Sequence, residues 1–508
     1  MGCPVMSDFD YADVQGLVRF GYKKMTKASY ALLRVRNAAA ARAWLRSASI
    51  TNAVELDPAP TTALQVAFTA PGLVALEVPE PVIAEFSHEF RGGMAQESRS
   101  RQLGDVETNA PAKWGWGGPG RAPHLVVMFF GEPEPYENFV QNSKGPAWED
   151  AFDTLAYLET ANFGGFEPFG FKDGISQPEI DWNQERKTPC TELDYGNIAS
   201  LGEFLLGYRN EYGKYTDRPL LDVDAASAGL PSAEDAPGKK DLGRNGTYLV
   251  MRQLQQDVRM FWEFAAQQAG GDTKKAEKFA EAMVGRTRAG DPLEPIQDQP
   301  IPGIETKSGA KEQNRFTFDQ DPAGDRCPFG SHVRRVNPRN TDFPNRPGNL
   351  LTKLITMLGF GPNGFRDDLT SSVRFHRIVR RGREYGTRLK LEEALTPSLA
   401  GDSNPECGLH FICLNANISR QFEFLQNAWV NSTKFSGLAG ESDPLLGNRV
   451  AISGCPVTNN FTKQKDGGLR RRVLGMPQFI KVRGGAYFFM PGIKALRYLA
   501  QDLSAKNP

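Results

Sequence analysis

Asp173 stands in an unusual run. The stretch "EPFGFKDGISQPE", Glu167 to Glu179, gathers Phe169 and Phe171, with Phe166 just before them, around one acid flanked by a Lys and a Gly. A solvated turn needs no apolar collar, whereas a carboxylate that takes and returns a proton in a dry pocket is served by one. The second residue of interest is His332, in "CPFGSHVRRVNPRN", where a short Gly-containing turn precedes the imidazole and Arg334, Arg335 and Arg339 follow it. One imidazole beside several guanidinium groups is badly placed to gather a second cation. It suits a large anionic cofactor whose metal takes a single imidazole. Haem b is such a cofactor, since its iron accepts an axial His and its two propionates need charge partners. An Arg-rich strand on a solvated face explains the same residues about as well, and an anion or nucleotide site without haem is a third reading.

The remaining composition narrows the field. The chain has five His (His88, His124, His332, His376 and His410), none at the i, i+4 spacing that would reveal a zinc site on a helix. Its six Cys lie far apart with no C-x-x-C, which argues for reduced thiols and against zinc. Sixty basic and 60 acidic residues cancel, so neither nucleic acid nor an anionic membrane is expected as the main partner. No apolar run approaches the roughly 18 residues of a membrane span. The start, "MGCPVMSDFDYADVQ", has acids and no apolar block, and Met6 stands where myristoylation wants Ser or Thr. A cytoplasmic location is the expectation.

The elements that must position these residues show in the hydrophobic pattern. At 508 residues the chain is too long for one ordinary core, and two sizeable domains are expected. "ALLRVRNAAAARAWLRSA" reads as a strand followed by an Ala-rich helix, "TTALQVAFTAPGLVAL" as a strand running into a helix start, and "HLVVMFFG" as a buried strand. The pattern recurs in the second half. "TYLVMRQLQQDVRMFWEFAAQQA" and "GLHFICLNANISRQFEFLQNAW" are again strand then helix, and "SSVRFHRIVRR" alternates like a strand. This implies two α+β units with antiparallel sheets covered on one face by helices. The Pro/Gly/Asp-rich stretches at 221–245 and 285–325 read as long surface insertions.

Six segments in order, "GFKDG", "CPFGSHVRRVNPR", "HRIVRRGREYG", "GLHFICLNANISRQFEFLQNAW", "DPLLG" and "VRGGAYFFMPG", resemble the dye-decolorising peroxidase family, in its larger-chain branch. "FRGGMAQESRSRQLGD" in the first half resembles that family's Arg-rich helix end. The resemblance implies two ferredoxin-like domains, here 1–215 and 216–508. One haem b would bind in the second, covered by the G-x-x-D-G loop of the first. His332 would be the axial iron ligand, Asp173 the distal acid and base, Arg380 the distal cation and Arg339 a propionate partner. Leu409 and Phe411 would line the peroxide pocket. Asp443 would take the other N–H of the imidazole, with Glu441 as a substitute if the alignment slips.

The activity so implied is reduction of hydrogen peroxide through a ferryl haem radical that then oxidises dyes, phenols or other one-electron donors. A non-catalytic haem carrier or sensor is the alternative, and it would need neither Asp173 nor Arg380. Breaking the O–O bond moves a proton from the inner oxygen to the outer one while charge develops on the leaving oxygen, tasks suited to Asp173 and Arg380. Bulky donors would react at the haem edge or through Tyr385 or Trp429. This chain departs from the family at Glu384, where Pro is usual, and at Gly382, where some members carry Asn. No nucleic acid, no membrane insertion and, as an open class, a homo-oligomer complete the expected partners.

Overall fold

The computed structural model describes residues 9–184, 197–294, 312–318, 321–339, 373–396, 405–451, 456–463 and 469–503. The first half contributes β1 (Lys27–Val35), β2 (Thr62–Phe68), β3 (Leu125–Gly131) and β4 (Phe152–Glu159). The second contributes β5 (Thr247–Gln256), β6 (Val379–Arg380), β7 (Arg383–Gly386), β8 (Cys407–Asn415) and β9 (Ile480–Met490). All nine join one antiparallel sheet in the order β6-β8-β5-β9-β2-β3-β1-β4, with β7 also pairing β8. With β6 and β7, which both pair β8, counted as one strand, each half has the order second, third, first, fourth. This repeated order is the ferredoxin-like pattern, and the two copies meet where Phe489 of β9 pairs Phe68 of β2. The expected boundary at 215/216 falls in the segment between β4 and β5.

The helices follow their strands as the sequence suggests. Asn37 caps α1 (Ala38–Ser47) by accepting from the Ala40 N–H at 3.1 Å, and Asp257 caps α2 (Val258–Gln268) by accepting from Met260 at 3.0 Å. Asp272 does the same for α3 (Thr273–Val284). After β8 the chain enters π-helical turns at Ser419–Glu423 and Leu425–Asn431. "SSVRFHRIVRR" departs from its expected strand: Val373–His376 is a 3-10 turn, and only Val379–Arg380 pair with β8.

Strand alternation sends residues to two faces. Leu64, Val66, Phe68, Val127, Phe129, Val250, Leu254, Tyr487 and Phe489 meet the helices in one core. Leu32, Met128, Phe130, Leu249, Met251, Ile412 and Phe488 form the other. That second core exists because the sheet curls until its ends approach. The Ala161 N–H, just past β4, donates to the Glu384 carbonyl of β7 at 2.7 Å, and the His410 imidazole of β8 lies 3.1 Å from the Glu159 carbonyl. Curling buries on the inside what a flat sheet would expose.

The segments read as surface insertions are more buried than that. In the first, Leu230, Asp241 and Leu242 are buried, and Asp241 bonds at 2.6 Å to the buried Arg218 just ahead of the segment. From the second, Arg286, Glu294, Phe316, Phe318 and Asp321 are buried, while 295–311 and 319–320 lie outside the described residues. Polar composition marked these segments as loops; ion pairing let them fold inward. No helix among the described residues is long and apolar enough to cross a membrane.

Candidate active site

His332 opens a five-residue helix, α4 (His332–Val336), anchored by the Ser331 hydroxyl on the Ala282 carbonyl at the end of α3. The imidazole Nδ1 lies 2.9 Å from Asp443 Oδ2. Asp443 is fully buried, and its Oδ1 accepts from the N–H groups of Leu445 and Leu446 at 2.9 and 2.8 Å. Burial alone would raise its pKa, but His332, Arg335 and the Leu446 N–H together hold it below the ordinary carboxylate range. An ionised Asp443 makes Nδ1 the protonated nitrogen of His332. Nε2, which has no hydrogen-bond partner among the described residues, is left as a free donor lone pair. Glu441 is occupied elsewhere, accepting from the hydroxyl and N–H of Thr462.

The three arginines after His332 differ in what their guanidinium groups already bind. Arg334 is bound to Asp321 at 2.7 Å and to two carbonyls, and Arg335 is spent on the carbonyls of Trp429, Ser432 and Glu441. Both hold the His332 loop in place. Arg339 is as buried as these two and differs in its surroundings: its φ is +59°, and it stacks on Phe316 at 3.7 Å while donating to Asn314. Arg286 lies over the same ring at 5.4 Å. Burial pulls both guanidinium pKa values down, Arg339 further through repulsion by Arg286 and Arg377, and Arg286, to about 10, through repulsion by Arg380. Arg339 Nε and Arg286 Nη2 are buried without a hydrogen-bond partner among the described residues. Two buried cations with open donors fit a ligand that brings two carboxylates, as haem does, and a lone Nε2 fits its iron.

The Asp173 loop meets the segment that follows α4, where the Asn337 side chain donates to the Ser176 hydroxyl at 3.4 Å. Arg380 Nη1 donates to Asp173 Oδ1 at 3.1 Å and Nη2 to the Ser176 carbonyl at 3.0 Å. The Gln177 side chain brackets the Arg380 backbone, accepting from its N–H at 2.9 Å and donating to its C=O at 3.0 Å. The loop of one half is thus sewn to a strand of the other. Burial raises the Asp173 pKa, but Arg380, the Gly174 N–H and His332 outweigh it, so the carboxyl titrates below its usual value.

Register places the rest. Arg380 pairs Cys413, so it shares a face with Leu409 and Phe411, both half-buried. Arg381 points the other way and donates to the carbonyls of Leu17 and Val18 at 2.7 and 2.8 Å. A Cβ at Gly382 would come within 2.6 Å of the His410 carbonyl, so this backbone has no room for a side chain there. His410 packs on the inner face against Tyr385, and His376 stacks on Phe424 at 3.7 Å. Tyr385 and Trp429 are both buried.

Two features were missed or misread from sequence. The Phe collar anchors the loop and does not wall the pocket: Phe169 stacks on Phe261 at 4.4 Å, and Phe171 lies parallel to Trp262. Glu167 was overlooked. Its carboxylate accepts from the N–H groups of Phe169 and Phe171 and from Gln256 at 2.9–3.0 Å, and burial pushes it up to about 7. An acid placed two and four residues before two buried Phe was its only trace in the sequence.

The chain is similar to curated peroxidases along nearly its whole length. A dye-decolorizing peroxidase of Mycetinis scorodonius is 28% identical over 518 residues, covering 96% of this chain and 86% of the relative. One of Auricularia auricula-judae is 26% identical over 95% of this chain and 86% of its own length. The multifunctional dye peroxidase DyP2 of an Amycolatopsis strain is 29% identical over 67% and 62%. No family model matches. A crystal structure of a fungal DyP-type peroxidase from Auricularia auricula-judae superposes with a TM-score of 0.68 at 24% identity, covering 97% of this chain and all of that one. A dye-decolorizing peroxidase with an engineered haem pocket reaches 0.70 at 23% identity, again over 97% of this chain and all of that one.

Proposed function

We infer that this chain is a dye-decolorising-type haem peroxidase, which reduces hydrogen peroxide and oxidises dyes, phenols or other one-electron donors. The observation that carries the reading is the presence of two carboxylate pairs, Asp443 on His332 and Asp173 on Arg380. A haem carrier needs the first pair only, and here the second is built with equal care.

One haem b per chain would take His332 Nε2 as its axial ligand, with Arg339 and Arg286 toward its propionates. Bound there, haem supplies an iron that receives peroxide and a macrocycle that stores oxidising equivalents. Asp173, ionised in the resting protein, accepts the peroxide proton and returns it to the departing oxygen. Arg380 fixes the Asp173 carboxylate and offers its charge where negative charge develops. Leu409 and Phe411 exclude water from that space. Asp443 draws on the Nδ1 proton and makes His332 a stronger donor. We further propose two domains, 1–215 and 216–508, with the distal loop contributed by the first. A phenol as reductant is supported by one structural relative described in complex with 2,6-dimethoxyphenol.

Haem reconstitution tests the reading. The purified protein should take up one equivalent of haem with a Soret band that hydrogen peroxide shifts, and His332→Ala should bind it weakly with an altered spin state. Full occupancy and an unchanged spectrum in that variant would remove His332 from its role.

A further inference from the structure

Tyr487 lies on β9 with its ring buried and its hydroxyl donating to Glu423 Oε1 at 2.8 Å. Glu423 is buried too, its two oxygens both bonded to Arg99 Nη1 at 2.9 Å, and Arg99 Nη2 lies 2.7 Å from His88 Nδ1. A phenol bonded to a buried carboxylate that an arginine holds has a ready acceptor for its proton. The ring also sits close to the active site. Its centroid is 6.2 Å from that of Phe422, which is 6.3 Å from that of Phe411, the pocket-lining residue of β8. Phe411 and Phe422 border one cavity of about 50 Å³ together with Arg252 and Leu446. Leu446 donates its N–H to Asp443, so Phe422 bridges the distal wall and the loop behind His332.

We propose that Tyr487 is an internal one-electron donor to the peroxide-oxidised haem, with Glu423 as the acceptor of its phenolic proton; this rests on the peroxidase reading above. One electron leaves the Tyr487 ring for the oxidised haem, and the O–H proton crosses to Glu423, leaving a neutral tyrosyl radical. An electron from an outside reductant later restores the ring, and Glu423 returns the proton. Over the cycle an electron passes and the proton stays within the pair; while the radical exists, the positive charge resides on Arg99, which His88 and Glu89 also contact, and not on the ring. Neither sequence candidate is equipped this way. The Tyr385 hydroxyl is 3.5 Å from Glu406, beyond a good O–H···O distance, and the Trp429 ring packs on His376 and Phe424 with no carboxylate against it among the described residues.

The test uses the haem-loaded full chain, mixed with one equivalent of hydrogen peroxide without reductant and freeze-quenched for electron paramagnetic resonance. Wild type grown on ring-deuterated tyrosine should show a tyrosyl signal narrowed by the label. Tyr487→Phe, which keeps the ring and leaves Glu423 paired with Arg99, should lose that signal while peroxide still shifts the Soret band. Glu423→Gln should suppress it with the Tyr487 ring still in place, and Tyr385→Phe should retain it. A tyrosyl signal unchanged in Tyr487→Phe, or no tyrosyl signal in a wild type whose Soret band responds, would overturn the proposal and leave the peroxidase reading standing. A Soret band that peroxide does not move would remove both.

Discussion

At the scale of single residues, each charge in the site is defined by the one it touches. Asp173 stays ionised because Arg380 outweighs its burial, so the acid limb of the peroxide reaction in wild type should lie below pH ~4, the ordinary Asp value. Arg380→Leu removes that support while the burial remains, so the Asp173 pKa rises and the acid limb moves to higher pH. The rate at neutral pH should also drop by about 10²–10³-fold, as when one charge stabiliser is deleted. Arg381→Leu should leave both alone, since Arg381 caps the carbonyls of Leu17 and Val18 on the other face. Rate profiles from pH 3 to 8 distinguish the two. If Arg381→Leu slows the reaction and Arg380→Leu does not, the strand register is wrong. Asp443→Asn makes His332 a weaker donor, so the haem reduction potential should shift positive, with haem affinity lowered roughly 10–100-fold, the usual cost of losing such a partner. Spectroelectrochemistry measures the first and haem transfer to a competing apoprotein the second.

At the scale of elements, the Asp173 loop owes its shape to Glu167. The folded-state pKa of Glu167 is raised from 4.5 to about 7, so the protonated acid is favoured by folding. Its contribution to stability is complete below about pH 4.5 and lost as the pH rises through about 7. Glu167→Gln should flatten the melting temperature against pH across that interval, and an unaltered slope there would contradict the assignment. This loop also shows what a sequence discloses. Periodicity reveals β1, β5 and β8 because alternating or continuous apolar residues have few other homes. Motif order singled out His332, Asp173 and Arg380 as candidates, and the structure pairs Asp173 with Arg380 and His332 with Asp443. Which arginines are open was not legible, since Arg334, Arg335 and Arg339 sit in one run and differ only in the carbonyls and carboxylates that reach them. Nor could the Phe collar's direction be read, because an apolar residue reports that it is buried and not against what.

At the scale of the molecule, two copies of one strand order share a curled sheet, and the proposed active site is where the Asp173 loop, which follows β4, meets the strands of the second copy. The Gln177 bracket on Arg380 and the Ala161–Glu384 hydrogen bond carry that meeting. Because haem would sit between buried cations that otherwise face one another, loading should stabilise the whole fold. Haem at 100 times its Kd contributes about 2.7 kcal/mol, seen as a higher melting temperature of the loaded protein, and equal melting of the two forms would argue against a built site. The most direct test of the central claim, that Asp173 and Arg380 activate peroxide above a haem held by His332, is stopped-flow mixing of the haem-loaded protein with hydrogen peroxide. The account predicts a wild-type Soret change first order in peroxide, slowed roughly 10²–10⁴-fold in Asp173→Asn at unchanged haem content. An Asp173→Asn protein that reacts at the wild-type rate with the same pH dependence would contradict it.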